Sequence, residues 1–281
     1  MNYDDWVDLH LHTNFSDGLL TPTQVVMKAK EVGLKAVGIV DHDTIDGIAE
    51  ATEAGSLEDI EVVPGVELSS QYEGRDIHIL GYYFDPDHPR LREYLRRFQQ
   101  ERYRRAAKMI KNLNHLGVRL TMAEVQERAK GGSIGRPHLA EVLMEKGYVE
   151  TFQEAFHRYI GYGSKAYEEK YKMRPEEAIR LLSEAKGLSF LAHPGYSISD
   201  AIILHFIKAG LDGIEVVHPK LNEKRTQHLQ QIARNNGLLL CGGSDCHGGR
   251  DGRFYIGQFT VPYIILDEMK AVLRLRWDEE S

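Results

Sequence analysis

Short apolar runs recur along the first and last thirds of this chain, and six of them carry a histidine or a carboxylate, nearly all at the downstream end. His10 and His12 close the run at 6–12, Asp41-His42-Asp43 follows 36–40, and Glu67 follows 62–66. His78 lies within 77–84, His193 follows 188–192, and Asp245 and His247 follow 238–241. The first run alternates Val7, Leu9 and Leu11 with Asp8, His10 and His12, the period of a half-buried strand. Between the runs lie helix signals. Thr21-Pro22 is an N-cap followed by proline, ahead of Val25, Val26, Ala29 and Val32 on one face and a stop at Gly33. A short helix is expected around 47–54, and others at 175–186, 200–209, 221–236 and 266–277. Strands alternating with helices at a spacing of roughly 20–30 residues indicate a parallel α/β sheet or barrel, whose active site gathers at the downstream ends of the strands.

The middle of the chain breaks this rhythm. From Leu91 to His115 the apolar residues Leu91, Tyr94, Leu95, Phe98, Ala106, Met109, Ile110 and Leu113 keep helical spacing. Two capping boxes follow, Thr121-x-x-Glu124 and Thr151-x-x-Glu154, with a further helix expected over 136–146. Residues 98–166 therefore read as an all-helical insertion between two barrel parts, 1–97 and 167–281. Over 90–111 nine basic residues face only Glu93 and Glu101, a local net charge of +7 in a chain of −7. Such a stretch either steers a polyanionic substrate or forms a solvated, salt-bridged helix face.

Composition narrows the chemistry. The chain has 281 residues, 13 histidines and only two cysteines, Cys241 and Cys246. Two cysteines provide neither a disulfide framework nor a thiolate zinc site, which suggests a reducing, cytoplasmic setting. No apolar stretch is long enough for a membrane span, and the acidic, polar residues 1–6 give no sign of a secretory leader. Metal chemistry here is therefore nitrogen and oxygen chemistry. His10 and His12, two apart on a strand, point to one face, and Asp245-x-His247 repeats that spacing. With Asp17 in the turn Ser16-Asp17-Gly18, this donor set suits Zn²⁺, Mn²⁺ or Fe²⁺. No Ser-His-Asp or Cys-His nucleophile set is evident.

The motifs Asp8-Leu9-His10-Leu11-His12-Thr13, Ser16-Asp17-Gly18, Asp41-His42-Asp43, Pro64-Gly65-Val66-Glu67, His78, Leu191-Ala192-His193-Pro194 and Gly243-Ser244-Asp245-Cys246-His247 resemble the PHP (polymerase and histidinol phosphatase) metallophosphoesterases. The resemblance implies a distorted (β/α)7 PHP barrel with an all-helical insertion domain and three divalent metal ions (Mn, Fe or Zn). In that arrangement His10, His12, Glu67 and Asp245 hold the first ion. Glu67, His78 and His193 hold the second, with Glu67 bridging, and Asp17, His42 and His247 hold the third. Ile134-Gly135-Arg136-Pro137-His138-Leu139-Ala140 and Gly161-Tyr162-Gly163-Ser164-Lys165-Ala166-Tyr167 resemble the nucleotide-directed branch. That branch holds nucleoside 3′,5′-bisphosphate phosphatases and 5′→3′ exoribonucleases of the RNase AM type. One departure is Cys246, where an aromatic residue is expected between Asp245 and His247.

The implied activity is hydrolysis of a phosphorylated nucleotide or short RNA by metal-activated hydroxide. Arg136 is the candidate phosphate clamp, since a guanidinium binds phosphate oxygens bidentately. His138 is a further phosphate donor, with Lys165 and His218 as additional substrate contacts. Asp43 is a candidate to orient His42 from behind, or alternatively to cap the helix after Gly47. Two other readings share these motifs, a histidinol-phosphate phosphatase and a non-catalytic metal-binding PHP module. No membrane association and no obligate protein partner are expected.

Overall fold

The computed structural model describes residues 5–171, 173–250, 252 and 254–278. Eight strands form one sheet: β1 (Trp6–Leu11), β2 (Ala36–Ile39), β3 (Glu61–Tyr72), β4 (Arg75–Tyr82), β5 (Leu188–Leu191), β6 (Gly213–Val217), β7 (Leu239–Gly242) and β8 (Val261–Pro262). Their order is β7-β6-β5-β4-β3-β2-β1-β8. The sheet curls into a nearly closed barrel, since Leu11 bridges Cys246 beyond β7 and the His12 amide donates to the Cys246 carbonyl at 3.2 Å. β8 pairs antiparallel with β1 as a short flap beside this closure.

The helices are α1 (Pro22–Glu31), α2 (Ile48–Glu58), α3 (Pro89–His115), α4 (Met122–Ala129), α5 (Arg136–Glu145), α6 (Phe152–Ala155), α7 (Pro175–Glu184), α8 (Asp200–Lys208), α9 (Glu223–Asn236) and α10 (Ile264–Asp278). α1 begins where the sequence predicts. The Thr21 side chain accepts from the Gln24 amide, and Gln24 accepts from the Thr21 amide. α4 opens on the capping box expected at Thr121 and Glu124. At α6 the Thr151 hydroxyl accepts from the Glu154 amide, but Glu154 reaches back to the Glu150 amide instead. No helix among the described residues is long and apolar enough to cross a membrane.

One expectation needs correction. β1, β2 and β3 run parallel, but β3 and β4 form an antiparallel hairpin, and β4 also pairs antiparallel with β5. The cause is a two-residue turn, Glu73-Gly74, with φ of 49° and 76°. Both values are positive, as a type I′ turn requires. β3 also runs on to Tyr72, through the polar Ser69, Ser70 and Gln71 that broke the apolar pattern. The hairpin turns His78 back toward Glu67, so residues from the middle of β3 and β4 join those at the ends of other strands.

The middle segment is helical throughout, and it has a hydrophobic cluster of its own. Ala106, Met109, Ile110 and Leu113 of α3 pack with Val125, Leu139, Leu143, Ala155 and Ile160. Leu91, Leu95 and Phe98, earlier on the same helix, belong instead to the barrel cluster with Ile79, Ile179 and Phe206. α3 thus crosses from one core to the other as a single rod. A π-helical turn over Phe156–Ile160, which the sequence did not signal, follows α6.

Candidate metal centre

β1 is buried on both faces, and its alternation sends His10 and His12 to the same side, with ring centroids 5.2 Å apart. Glu67, near the middle of β3, is fully buried and becomes the hub of the cluster. Its Oε2 lies 3.3 Å from His10 Nε2, 3.2 Å from His12 Nε2 and 3.3 Å from His42 Nδ1. Its Oε1 lies 2.7 Å from His78 Nδ1 and 3.0 Å from His193 Nε2. Asp245 Oδ1 is 3.2 Å from His12 Nε2 and 3.6 Å from His10 Nε2, and Asp17 Oδ1 is 3.3 Å from His247 Nε2. The nine ligand candidates named from the sequence therefore lie in one cluster: five imidazoles face Glu67, Asp245 joins through His10 and His12, and Asp17 and His247 join through His12 and His42.

Four close donor sets stand out: His10, His12, Glu67 and Asp245; His12, Asp17, His42 and His247; His42, Glu67 and His78; and His10, Glu215 and His218, with His193 in none of them. The chemistry of these donors fits divalent cations. His12 Nδ1 and Nε2, His42 Nδ1, His78 Nε2 and Asp17 Oδ1 are buried with no hydrogen-bond partner. Buried polar atoms are rarely left so, and a cation held by their lone pairs would satisfy several at once. Burial pushes Glu67 upward, but the imidazoles of His42, His78 and His10 outweigh it and hold the carboxyl well below its ordinary range. Asp245 behaves alike, with His10, His12 and His218 outweighing burial. Burial lowers His42 and His78 despite Glu67, whereas Glu215, Glu67 and Asp245 outweigh burial and raise His10, and Asp245 and Glu67 raise His12 to about 10. Ionised carboxylates and neutral imidazoles are the forms that ligate metal.

Neighbouring groups hold the donors in place. Asp41 accepts from the Thr13 amide at 2.7 Å, the Thr13 hydroxyl at 2.6 Å and the Ser16 hydroxyl at 2.5 Å, fixing the turn that carries Asp17. Asp8 accepts from the Ser244 amide at 2.9 Å and the His10 amide at 3.3 Å, joining β1 to the loop of Asp245. Gly243 makes that junction close, because a Cβ there would stand 2.4 Å from the His10 nitrogen. His193 and Asp245 are non-glycine residues at φ of 31° and 51°. Such backbone is strained and persists where the surroundings over-determine it, commonly at functional sites.

The structure brings some of the other candidates to this mouth and takes others elsewhere. His138 is buried near the start of α5, and its Nδ1 accepts from the Gly135 amide at 3.0 Å. The Arg136 guanidinium lies over the Phe156 ring at 5.3 Å and the Tyr167 ring at 5.8 Å. His218 lines a cavity of about 310 Å³ beside the cluster, together with Asp17, Pro137, Lys220, Asp245 and Arg250. Its Nδ1 accepts from the Lys220 amide at 3.0 Å, so the neutral ring donates through Nε2 to Asp245 Oδ2 at 3.1 Å. Lys165 is exposed beyond the Gly161-Tyr162-Gly163-Ser164 turn and does not line this cavity. Lys220 lines it instead, with Nζ 3.1 Å from Asp245 Oδ2.

Asp43 does not do what the sequence suggested. It neither bonds His42 nor caps α2, whose N-cap is Gly47. At φ 52° its carboxylate turns away to accept from the Ser69 amide at 2.7 Å and from Arg102 Nε and Nη2 at 2.9 and 2.5 Å. The buried charge of Asp43 is thereby spent on α3. Cys246, the departure from the family pattern, is buried among Leu11, Val25, Ile39 and Ile256, away from the donors.

Sequence reasoning missed Glu215. This buried carboxylate on β6 accepts from His10 Nδ1 at 2.8 Å and from the His193 amide at 2.5 Å. The available signal was a lone acid inside the apolar run Gly213-Ile214-Glu215-Val216-Val217. Glu215→Gln keeps the shape but presents an NH₂ to one of these two donors. Metal affinity is expected to fall about 10- to 100-fold, the usual cost of losing a partner behind a ligand. Calorimetric titration with Mn²⁺ measures it, and an unchanged affinity would mean that His10 and His193 are oriented without Glu215. Arg250 was also missed. It donates to the Asp17 carbonyl and pairs with Glu141 of α5, so one side chain ties the turn of Asp17 to α5.

Comparison with known proteins gives the family of the chain. The pattern defining the PHP domain matches residues 8–239. The 5′-3′ exoribonuclease Rnm of Escherichia coli is 33% identical over 253 residues, covering 88% of this chain and 86% of that protein. The 3′,5′-nucleoside bisphosphate phosphatase of Chromobacterium violaceum is 31% identical over 255 residues, covering 87% and 90%. A Bifidobacterium adolescentis protein assigned as a metal-dependent phosphoesterase superposes with a TM-score of 0.89 at 31% identity, covering 95% of this chain and 96% of that one.

Proposed function

The chain belongs to the PHP domain family and is a metal-dependent phosphoesterase, and from that premise we propose that it removes phosphate from 3′,5′-bisphosphonucleotides and hydrolyses short 5′-phosphorylated RNA from the 5′ end. The observation that carries this reading is the single cluster of six imidazoles and three carboxylates with Glu67 as its hub, and Pro137, between Arg136 and His138, lining the cavity beside it. We assign three divalent ions, Mn, Fe or Zn. The ligand sets are His10, His12, Glu67 and Asp245, then Glu67, His78 and His193, then Asp17, His42 and His247. Bound there, such ions would supply Lewis acidity toward phosphoryl oxygens and a water-derived nucleophile at neutral pH.

The chain's own groups do the rest. Arg136 offers a planar fork to phosphate oxygens, braced from behind by Phe156 and Tyr167. Burial pushes His138 down to about 4, so the ring is neutral at pH 7. Because Nδ1 accepts the Gly135 amide, the ring proton sits on Nε2, which makes His138 a fixed donor for a phosphate oxygen. His218 and Lys220 hold Asp245 from the cavity side. The insertion, 98–166, serves in this reading as the substrate-binding part, between barrel parts 1–97 and 167–281. Its separate hydrophobic cluster supports that division. The two free, buried cysteines support a cytoplasmic location.

The experiment is a three-substrate assay of manganese-loaded protein, with adenosine 3′,5′-bisphosphate, 5′-phosphorylated RNA and histidinol phosphate. Turnover of the nucleotide and RNA substrates is expected. His138→Ala should raise KM for both by about tenfold, the worth of roughly one charge-assisted hydrogen bond. Turnover of histidinol phosphate alone would overturn the reading in favour of the histidinol-phosphate phosphatase.

A further inference from the structure

The basic residues of α3 divide into two groups. Three of those facing solvent are paired, Arg104 with Glu101 at 2.5 Å, Arg92 with Asp87 at 2.6 Å, and Arg90 with Glu184, while Arg96, Lys108 and Lys111 stand exposed. Arg102 is spent on Asp43. The seam between α3 and residues 162–171 is different. Arg105 uses Nε on the Glu168 carbonyl, while its Nη2 is buried with no partner. Arg136 makes no hydrogen bond or ion pair among the described residues, and Lys170 has Asp76 alone, at 3.2 Å. Three half-buried cations thus share one carboxylate. Burial and Arg136 together bring Arg105 down to about 10, the mark of cations crowded without enough counter-charge. An arrangement of this kind is costly unless a ligand brings the missing anions.

Aromatic rings are interleaved with these cations. Arg105 lies 5.5 Å over Tyr167, and Arg97, two helical turns earlier, 4.6 Å over Tyr171. Tyr162 stands against Tyr167 with ring centroids 5.4 Å apart and is 83% exposed. The seam also begins at the metal centre. Asp76, the partner of Lys170, is two residues from His78 on β4 and shares its face. The 310 Å³ cavity lined by Lys220 and Arg250 lies on another side of the cluster, lined by His218, Asp245 and His247.

We propose that this seam is the track of the RNA strand downstream of the scissile phosphate, with Arg105 and Lys170 holding backbone phosphates beyond the one that Arg136 takes and Tyr167 and Tyr162 stacking bases. Cations along a groove with interleaved aromatic rings bind single strands without regard to sequence. The track rests on the nucleic-acid reading of the active site given above. It narrows the expectation that the basic face of α3 guides substrate, since Arg90, Arg92 and Arg104 are paired locally.

The test compares 5′-phosphorylated RNAs from two to eight nucleotides on manganese-loaded protein. In the wild type, KM is expected to fall as the first few downstream nucleotides are added. Tyr162→Ala, at a surface position that does not threaten folding, is expected to raise the ratio of octamer KM to dinucleotide KM about five- to tenfold, as the loss of one base stack implies. Arg105→Gln should lower the slope of log KM against log salt for the octamer by about 0.7, one single-strand phosphate contact. Hydrolysis of RNA with both the ratio and the slope unchanged would overturn the track alone. Turnover of bisphosphonucleotide with none on any RNA would remove the track together with the exonucleolytic part of the reading.

Discussion

Replacing Glu67 by glutamine is expected to cut turnover at least about 10³-fold, a barrier increase of roughly 4 kcal/mol. Glu67 is fully buried and within 3.3 Å of five imidazoles, divided between its two oxygens. Glutamine fills the same space but carries no charge, and one of its two ends becomes a donor facing nitrogens that need an acceptor or a cation. The donor sets of His10, His12 and Asp245 and of His42 and His78 then lose the carboxylate they share. Elemental analysis of the variant should show metal content reduced along with activity. Activity within tenfold of wild type at unchanged metal content would mean that Glu67 is not the hub of the site.

The second large effect concerns stability. Asp43→Asn is expected to destabilise the fold by about 3–5 kcal/mol, the range for removing one partner of a buried ion pair. The variant leaves Arg102 with no carboxylate while its guanidinium stays between β3 and the insertion, where Nη2 also reaches Ser69 Oγ at 3.2 Å and Nη1 reaches the Ile134 carbonyl at 3.4 Å. Asp43 directly follows the ligand candidate His42, and Arg102 lies on the stretch of α3 between the barrel core and the insertion core. The pair therefore ties α3 to the loop that carries His42. Urea unfolding measures the change. A loss below about 1 kcal/mol, the value of an exposed pair, would show that α3 is held by its other contacts.

The parts of this molecule that could be read from its sequence are those set by local periodicity. His10 and His12 alternate with Leu9 and Leu11, and that alone puts both imidazoles on one face. The caps at Thr21 and Thr121 start helices from side chains and amides three residues apart. What escaped depends on pairing between distant segments. The alternation that marks a strand is the same for either direction, so the antiparallel course of β4 hung on the φ values of Glu73 and Gly74. Asp43 looked like a partner for His42 because they are adjacent, yet its left-handed backbone turns it to an arginine 59 residues away. Glu215 meets His10 across 205 residues, and only its oddity as an acid in an apolar strand hinted at it. Lys165 and Lys220 are alike in composition, but only the loop after β6 lies over the cavity.

The most direct test of the central claim is to strip the protein with a chelator and follow hydrolysis of adenosine 3′,5′-bisphosphate as Mn²⁺ is returned, with metal content and circular dichroism recorded at each step. The expected result is a folded, metal-free protein with background activity, and activity that returns in proportion to metal bound. Full hydrolysis by the folded protein, with no metal detectable by elemental analysis, would contradict it.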